Sequence, residues 1–393
     1  MSGLTQGPAA AASVTGRALA DLAPTLYVSN GRGGTVTPIA TATNTPGPPI
    51  EVGTGPGLIV ITPDGKTAYV TGNGDRVTPI ATATNTPGPP IEVGQGPDRI
   101  AVTPDGKTVY IASIGSNTVT PIATATNTPG QPIEVGVRPR MIAVTPDGRT
   151  AYVVNQGNGQ GTVTPIAITT NAPGEPIEVG GEPYAIAVTL DGKTVYVANT
   201  FGRADQGRQR PEAIALTPDG KAADVASTGH PERGRPNSVT PIATATNVPG
   251  EPIEVGSGPW AFAITPDGKT AYVINFYSHT VTPIATATNT PGPPITVGMG
   301  PRAIAITPDG KTVYVASWQA GVVTPIATAT NTPGRPIEVG EGARAFAITA
   351  DGKTLYVLVW GEPGSVVPIA TATNTPGTPI EVGDGPYAIA ITP

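Results

Sequence analysis

Apolar residues in this chain fall in short runs of Val, Ile, Ala and Thr, cut every few positions by Gly and Pro. "AIAITPDGKTVYVAS" (Ala303 to Ser317) holds two such runs on either side of Pro-Asp-Gly, the pattern of a β-hairpin. "VTPIATATN" is a third run rich in β-branched residues, and the Pro-Gly turn of "NTPG" leads to a fourth, "PPIEVG". Nowhere in the pattern do apolar residues recur at helical spacing, and Gly and Pro come too often for helices. The predicted unit is four short strands.

That unit repeats. "TPIATATNTPG" begins at Thr37, Thr78, Thr120, Thr282 and Thr324, with near copies at Thr164, Thr240 and Val367. The Asp of the Asp-Gly turn falls at Asp64, Asp105, Asp147, Asp191, Asp219, Asp267, Asp309 and Asp351, mostly 41 to 44 residues apart. Four strands per repeat of about 42 residues predict an all-β fold, a β-propeller of four-stranded blades. The chain begins at "TLYVSN", a second strand without its first, and ends at "GPYAIAITP", a first strand without its second. The C-terminal strand is therefore expected to pair into the N-terminal blade and close the ring, leaving no bare edge. Residues 1–24 read as a flexible tail, and 25–393 as one propeller domain.

Proline placement fits this order in part. Pro-Pro or Glu-Pro opens the fourth, outer strand, where a missing donor blunts an edge. The proline of "VTPI" sits in an internal strand, which predicts a bulge or a frayed pair. One segment breaks the period. After Glu182 to Asn199 the third and fourth strands are absent, and a weaker copy follows from Arg210 to Ser227, with Asp224 where other copies carry tyrosine. Nine first-second pairs thus stand against eight third-fourth pairs. This predicts eight blades with an irregular insertion at about 200–237; nine with one half-blade, or seven, are the alternatives.

"GKTVYVAN" (Gly192 to Asn199), "TVTPIATATNT" and "IEVG" resemble the YVTN-type propeller repeat of bacterial and archaeal cell-surface proteins. The resemblance covers Thr25 to Pro393. It implies an extracellular or cell-surface module, mostly of seven blades, and Pro38 and Ala40 depart from the family's third strand. An eighth blade would widen the central channel. No signal peptide is read in the N-terminal stretch, which lacks a basic region and a long apolar run, and no membrane span is expected.

The copies differ in chosen places. Turns of the "PDGK" and "TNTPG" type barely vary and belong to one face of the disc. Connections on the other face do vary, as does the residue after "GP" at the start of each first strand. That residue is Gly57, Asp98, Arg140, Tyr184, Glu212, Trp260, Arg302, Arg344 and Tyr387 in chain order. The connections after second strands carry Phe276-Tyr277-Ser278-His279, Trp318-Gln319 and Trp360-Gly361-Glu362. All three tryptophans map to this face, and Trp260, Arg302, Arg344 and Tyr387 start consecutive blades. Exposed loops on a rigid scaffold concentrate binding groups, and Trp, Tyr and Arg dominate hot spots. The candidate ligand-binding set is Trp260, Arg302, Arg344, Tyr387, Trp318, Trp360, Tyr184, Arg140 and Asp98. Ion pairs of the arginines with Glu341 and Asp384, or aromatics packed at the channel mouth, are the bland alternative. The repeated tyrosines read as inter-blade packing, and the "PDG" aspartates as turn formers.

Composition narrows the chemistry. The 393 residues include no cysteine, which excludes disulfides, thiolate metal sites and a cysteine nucleophile. With 13% charged residues and a net charge of −6, the chain has no basic stripe for nucleic acid. Aromatic residues are 5%, so the core is expected to be built from small side chains. His230 and His279 lie in different blades outside any ligand-spaced cluster, and Asp98 and Glu212 stand three to four blades apart. No serine lies in a nucleophile elbow and no Gly-rich loop has a phosphate-binding spacing. No catalytic residue, metal or cofactor is expected. The expected function is a monomeric, non-catalytic binding propeller for an anionic glycan, peptide or cell-envelope component. A propeller hydrolase or lyase of small cyclic esters and a structural surface module are the alternatives.

Overall fold

The structure of the chain is a computed structural model and describes residues 24–181, 183–199, 210–228 and 237–393. Every regular element among them is a β-strand. Eight sheets share one plan: three antiparallel strands, then an outer strand broken into two short pieces, such as Thr45–Pro46 and Ile50–Glu51. They are the blades of an eight-bladed β-propeller. Blades 1 to 4 comprise residues 25–51 with 386–391, 59–92, 97–134 and 139–180. Blades 5 to 8 comprise 210–254, 259–296, 301–338 and 343–381. The chain divides into two compact units, the first around blades 1 to 4 with the segments 360–368 and 378–393, the second around blades 5 to 8.

In the first unit the C-terminal strand completes blade 1, as expected. Pro386–Ile391 pairs antiparallel with Thr25–Asn30, from Leu26↔Ile391 to Asn30↔Pro386. The join is reinforced where Gly31 N–H donates to the Gly385 carbonyl at 3.0 Å and Thr25 N–H to Thr392 Oγ1 at 2.8 Å. Also in this unit, Pro183–Val188 and Val195–Asn199 form a sheet of two strands, an inner half-blade. The irregularity was expected at 200–237, but Ala222–Thr228 pairs with the third strand Ser238–Ala243 and belongs to blade 5. The weaker copy takes the outer strands because they follow it directly in the chain. The earlier copy is left without them. The remainder of that insertion, His230 included, and the tail up to residue 23 lie outside the described residues.

Blades pack on one another through small apolar side chains, as the scarcity of aromatics requires. In the second unit, Tyr272, Ile274 and Val281 of blade 6 meet Val313, Val315 and Ile326 of blade 7. The repeated tyrosine does more than fill space. Tyr110, Tyr272 and Tyr314 are fully buried, and their hydroxyls donate at 2.6 Å to Oδ1 of Asn171, Asn331 and Asn374 in the next blade. Each acceptor is the asparagine that ends "TATN", or "ITTN" in the copy at Asn171, held at φ 54 to 56, a left-handed conformation that asparagine tolerates better than most residues. Burial pushes the three phenols up to about 12, so they remain donors. A Tyr314→Phe variant is expected to lose about 1 kcal/mol of stability, read as a lower denaturant midpoint. An unchanged midpoint would show that the bond contributes nothing.

The proline of the third strand is accommodated without a bulge in that strand. Pairing runs unshifted from Thr25↔Ala40 through Tyr27↔Pro38 to Asn30↔Thr35. The Pro38 carbonyl accepts Gly47 N–H at 2.8 Å on the opposite side. Since a strand residue points its N–H and C=O the same way, the missing donor faces the outer strand, where that strand breaks between Pro46 and Ile50. A Cβ on Gly47 would lie 3.2 Å from Pro38 Cγ, so proline and glycine are fixed together. The "PDG" aspartates act as turn formers: Asp351 Oδ1 accepts from the Thr349 hydroxyl at 2.6 Å and the Lys353 N–H at 3.0 Å. Those two bonds, the hydroxyl first, hold its carboxyl down to about 2.

Candidate functional site

The variable residue after "GP" has a structural identity. In blade 7, Pro301 pairs with Ser317 and Ala303 with Ala316, leaving Arg302 as the extra residue of a β-bulge. The same register shift falls at Asp98, Arg140, Tyr184, Trp260 and Arg344, and at Tyr387 likewise. A bulged side chain is released from the in-out alternation and is re-aimed by the local twist. Identity at such a position is not tied to the core. Gly300 precedes the bulge of blade 7 at φ 67, which lets the connection turn sharply into the strand.

In the second unit three of the predicted residues converge. The Arg302 guanidinium carbon lies 4.8 Å from the Trp318 ring centroid, and that of Arg344 6.0 Å from it. All three side chains are half-buried. Trp318 is pinned by its own backbone: its N–H donates to the Gly300 carbonyl and its carbonyl accepts Gly342 N–H, both at 2.9 Å. Those glycines precede the two bulges, so one loop sets the ring between two arginines of successive blades. Cation–π contacts contribute about 0.5–2 kcal/mol each, depending on desolvation. The indole draws two positive charges together that would otherwise stay apart.

Trp260 does not join this group. It packs on the interface of blades 6 and 7 and on Phe276, with ring centroids 6.1 Å apart and planes at 42°. Its indole N–H is buried without an acceptor among the described residues. Phe276 meets Tyr277 edge-on at 5.2 Å, and Tyr277 is 68% exposed. His279 is a turn residue at φ 56, taking the place that Asn117 holds in blade 3 at φ 59. Its Nδ1 lies 3.0 Å from the Phe276 carbonyl and 3.2 Å from Gly300 N.

The first unit holds the other predicted residues in two groups. Trp360 carries Arg32 at 5.4 Å over its ring, and Arg32 also pairs with Glu362. Asp98 binds two arginines, Arg99 at 3.2 Å and Arg140 at 3.4 Å, and the Arg99 Nε lies 3.5 Å from Met141 Sδ. Tyr184 and Tyr387 are half-buried at their bulges. Arg32 and Arg99 were missed in the sequence, though both left a signal. Arg99 stands where other copies carry Ala, Met or Leu, and Arg32 lies in the same kind of connection as Trp318 and Trp360.

Two shallow cavities lie elsewhere. One of about 390 Å³ is lined by Gln131, Glu134, Thr170 and Asn171, and one of about 440 Å³ by Glu251, Glu254, Thr288 and Asn289. Both are formed by the repeated outer-strand segments, and neither includes a bulge residue. Among the described residues no group of three or more His, Asp or Glu is placed to hold a metal ion. The candidate site is the group in the second unit, where two bulge arginines, Arg302 and Arg344, lie on the indole of a strand connection, Trp318.

No family model matches the chain, and no curated protein matches it. The fold recurs in solved structures. The dihydro-heme d1 dehydrogenase NirN, solved in complex with DHE, aligns over 98% of this chain and 79% of its own, with a TM-score of 0.70 and 13% identity. Citrobacter koseri AztD aligns over 94% and 97%, at 0.61 and 10%. Kuenenia stuttgartiensis hydrazine synthase aligns over 78% and 92%, at 0.54 and 24%. At these identities the likeness is one of fold.

Proposed function

We propose that this chain is a non-catalytic binding propeller of the YVTN type, presented at a cell surface as a monomer. Its bulge face holds an anionic glycan, peptide or cell-envelope component. The observation that carries this reading is the convergence of Arg302 and Arg344 on Trp318. Guanidinium groups match carboxylate, sulfate and phosphate oxygens through paired N–H donors. Two of them held on one ring are pre-oriented, so less side-chain entropy is lost on binding. Trp318 serves here as the ledge for the arginines, which leaves the recognition of charge to them. Arg140 and Arg99 share Asp98 in the other unit. In the same unit as Trp318, Trp260 adds amphipathic surface of the kind enriched in interfaces, and in the other unit Trp360, Tyr387 and Tyr184 are groups of that kind.

The test is an array of acidic glycans and peptides, screened with the wild type and the Arg302→Ala, Arg344→Ala double variant at two salt concentrations. Binding should be salt-sensitive and about a hundredfold weaker in the double variant, from the loss of two charge-assisted contacts. Binding that survives both the substitutions and the salt would place the site elsewhere. No binding by the wild type would favour a structural module.

A further inference from the structure

Where a complete blade follows, the isoleucine that opens the second piece of the outer strand is buried, because the next blade covers it. Ile133 and Ile337 are 5% exposed, and Ile295 of blade 6 is buried in one cluster with Ile326, from the third strand of blade 7. Ile177 of blade 4 is 51% exposed. The next element in the chain is the half-blade, which has no third strand to cover it. Tyr152 of blade 4 is half-buried, whereas Tyr110 and Tyr314 at the same position are fully buried. It has no "TATN" turn ahead of it in the half-blade to receive its hydroxyl. In the half-blade itself Val195 and Val197 are half-buried, where the corresponding Val313 and Val315 are fully buried. Among the described residues, strand Val195–Asn199 pairs on one side alone.

We propose that this half-blade is an acceptor slot for an extended strand donated by another polypeptide, with the V-T-P-I-A pattern of this chain's own third strands. Blade 7 gives the template. There Val313 faces Ile326, Tyr314 faces Pro325 and Val315 faces Thr324. Pro325 has no N–H and turns its carbonyl to Gly334, so the bonds to the second strand come from Ile326 and Thr324. By the same register, Val195 and Val197 point their N–H and C=O groups into the slot. Main-chain pairing with an open edge supplies affinity, and the pockets for alternate side chains supply selectivity. The donated isoleucine covers Ile177 as Ile326 joins Ile295. An asparagine five residues beyond it receives the Tyr152 hydroxyl, as Asn331 receives that of Tyr272. The donor is taken to be another polypeptide, since the eight third strands among the described residues are committed to their own blades. Neither residues 200–209 nor 229–236 carry the pattern.

The probe is a synthetic peptide of residues 322–339, titrated by fluorescence anisotropy against the full chain. Saturable binding of one peptide per chain is expected, with amide exchange slowed at Val195 and Val197 and no binding of a scrambled peptide. Val197→Pro removes a donor aimed into the slot and not used by Pro183–Val188, and should weaken binding about tenfold. Ile177→Asp places a charge under the donated isoleucine at a position already exposed, and should weaken it similarly. Absence of peptide binding would overturn the proposal. So would unchanged affinity in Ile177→Asp, or Val195 and Val197 amides already protected in the free protein.

Discussion

A chain lacking Gly385 to Pro393 is expected to melt far below the full-length protein and to form oligomers. The deleted strand is the innermost strand of blade 1, and its partner Thr25–Asn30 includes Leu26, Tyr27 and Val28, all fully buried. Each such side chain contributes about 1.5–3 kcal/mol when buried, and the total stability of a domain is about 5–15 kcal/mol. Removing the cover of three of them, with the backbone bonds of Gly31 and Thr25, takes away a large part of that. The exposed edge of Thr25–Asn30 is then a template for pairing with another molecule. Calorimetry and size-exclusion chromatography check the two consequences. A truncated protein that melts like the full one and remains the same size would show that the last strand is dispensable.

Asp224→Tyr is expected to stabilise the protein at neutral pH by about 3 kcal/mol, the worth of a pKa displaced by about two units. Asp224 lies opposite Ala215 and Pro241, the position of tyrosine in the other copies, and is 5% exposed. Burial pushes its carboxyl up from 3.8 to about 6. Between those values the folded state holds a proton that the unfolded state has released, so stability falls as pH rises from about 4 to about 6. Above that window the full cost of a buried charge remains. Asp224→Asn should remove this pH dependence, and Asp224→Tyr should in addition reach Asn289 as Tyr272 reaches Asn331. Denaturant midpoints measured at pH 4.5 and 7.5 decide it. A wild-type midpoint that does not fall between those pH values, or an Asn variant that keeps the slope, would place the charge in a solvated site.

The strand pattern, the repeat and the pairing of the two chain ends were legible in the sequence because hairpins depend on local chemistry. Pro-Asp-Gly, the left-handed Asn of "TATN" and the Gly after "IEV" each set a turn within a few residues. Asp224 was legible as an anomaly because eight copies place tyrosine there. The position of Trp260, Arg302, Arg344 and Tyr387 could be found from variation among copies, since a bulged residue is released from the in-out alternation of the ladder.

Tertiary pairing alone decided the rest. The copies at 183–199 and 210–228 have the same local pattern, and the pairing of Ala222–Thr228 with Ser238–Ala243 shows that the second belongs to a full blade and not to the insertion. The third-strand proline looked like a defect until the break in the outer strand was placed opposite it. The arginines converge on Trp318 because one loop is bonded to the approaches of two successive bulges, whereas Trp260 turns onto Phe276. Side-chain direction in a connection is set by neighbours from other parts of the chain, so it could not be read from residue type and spacing.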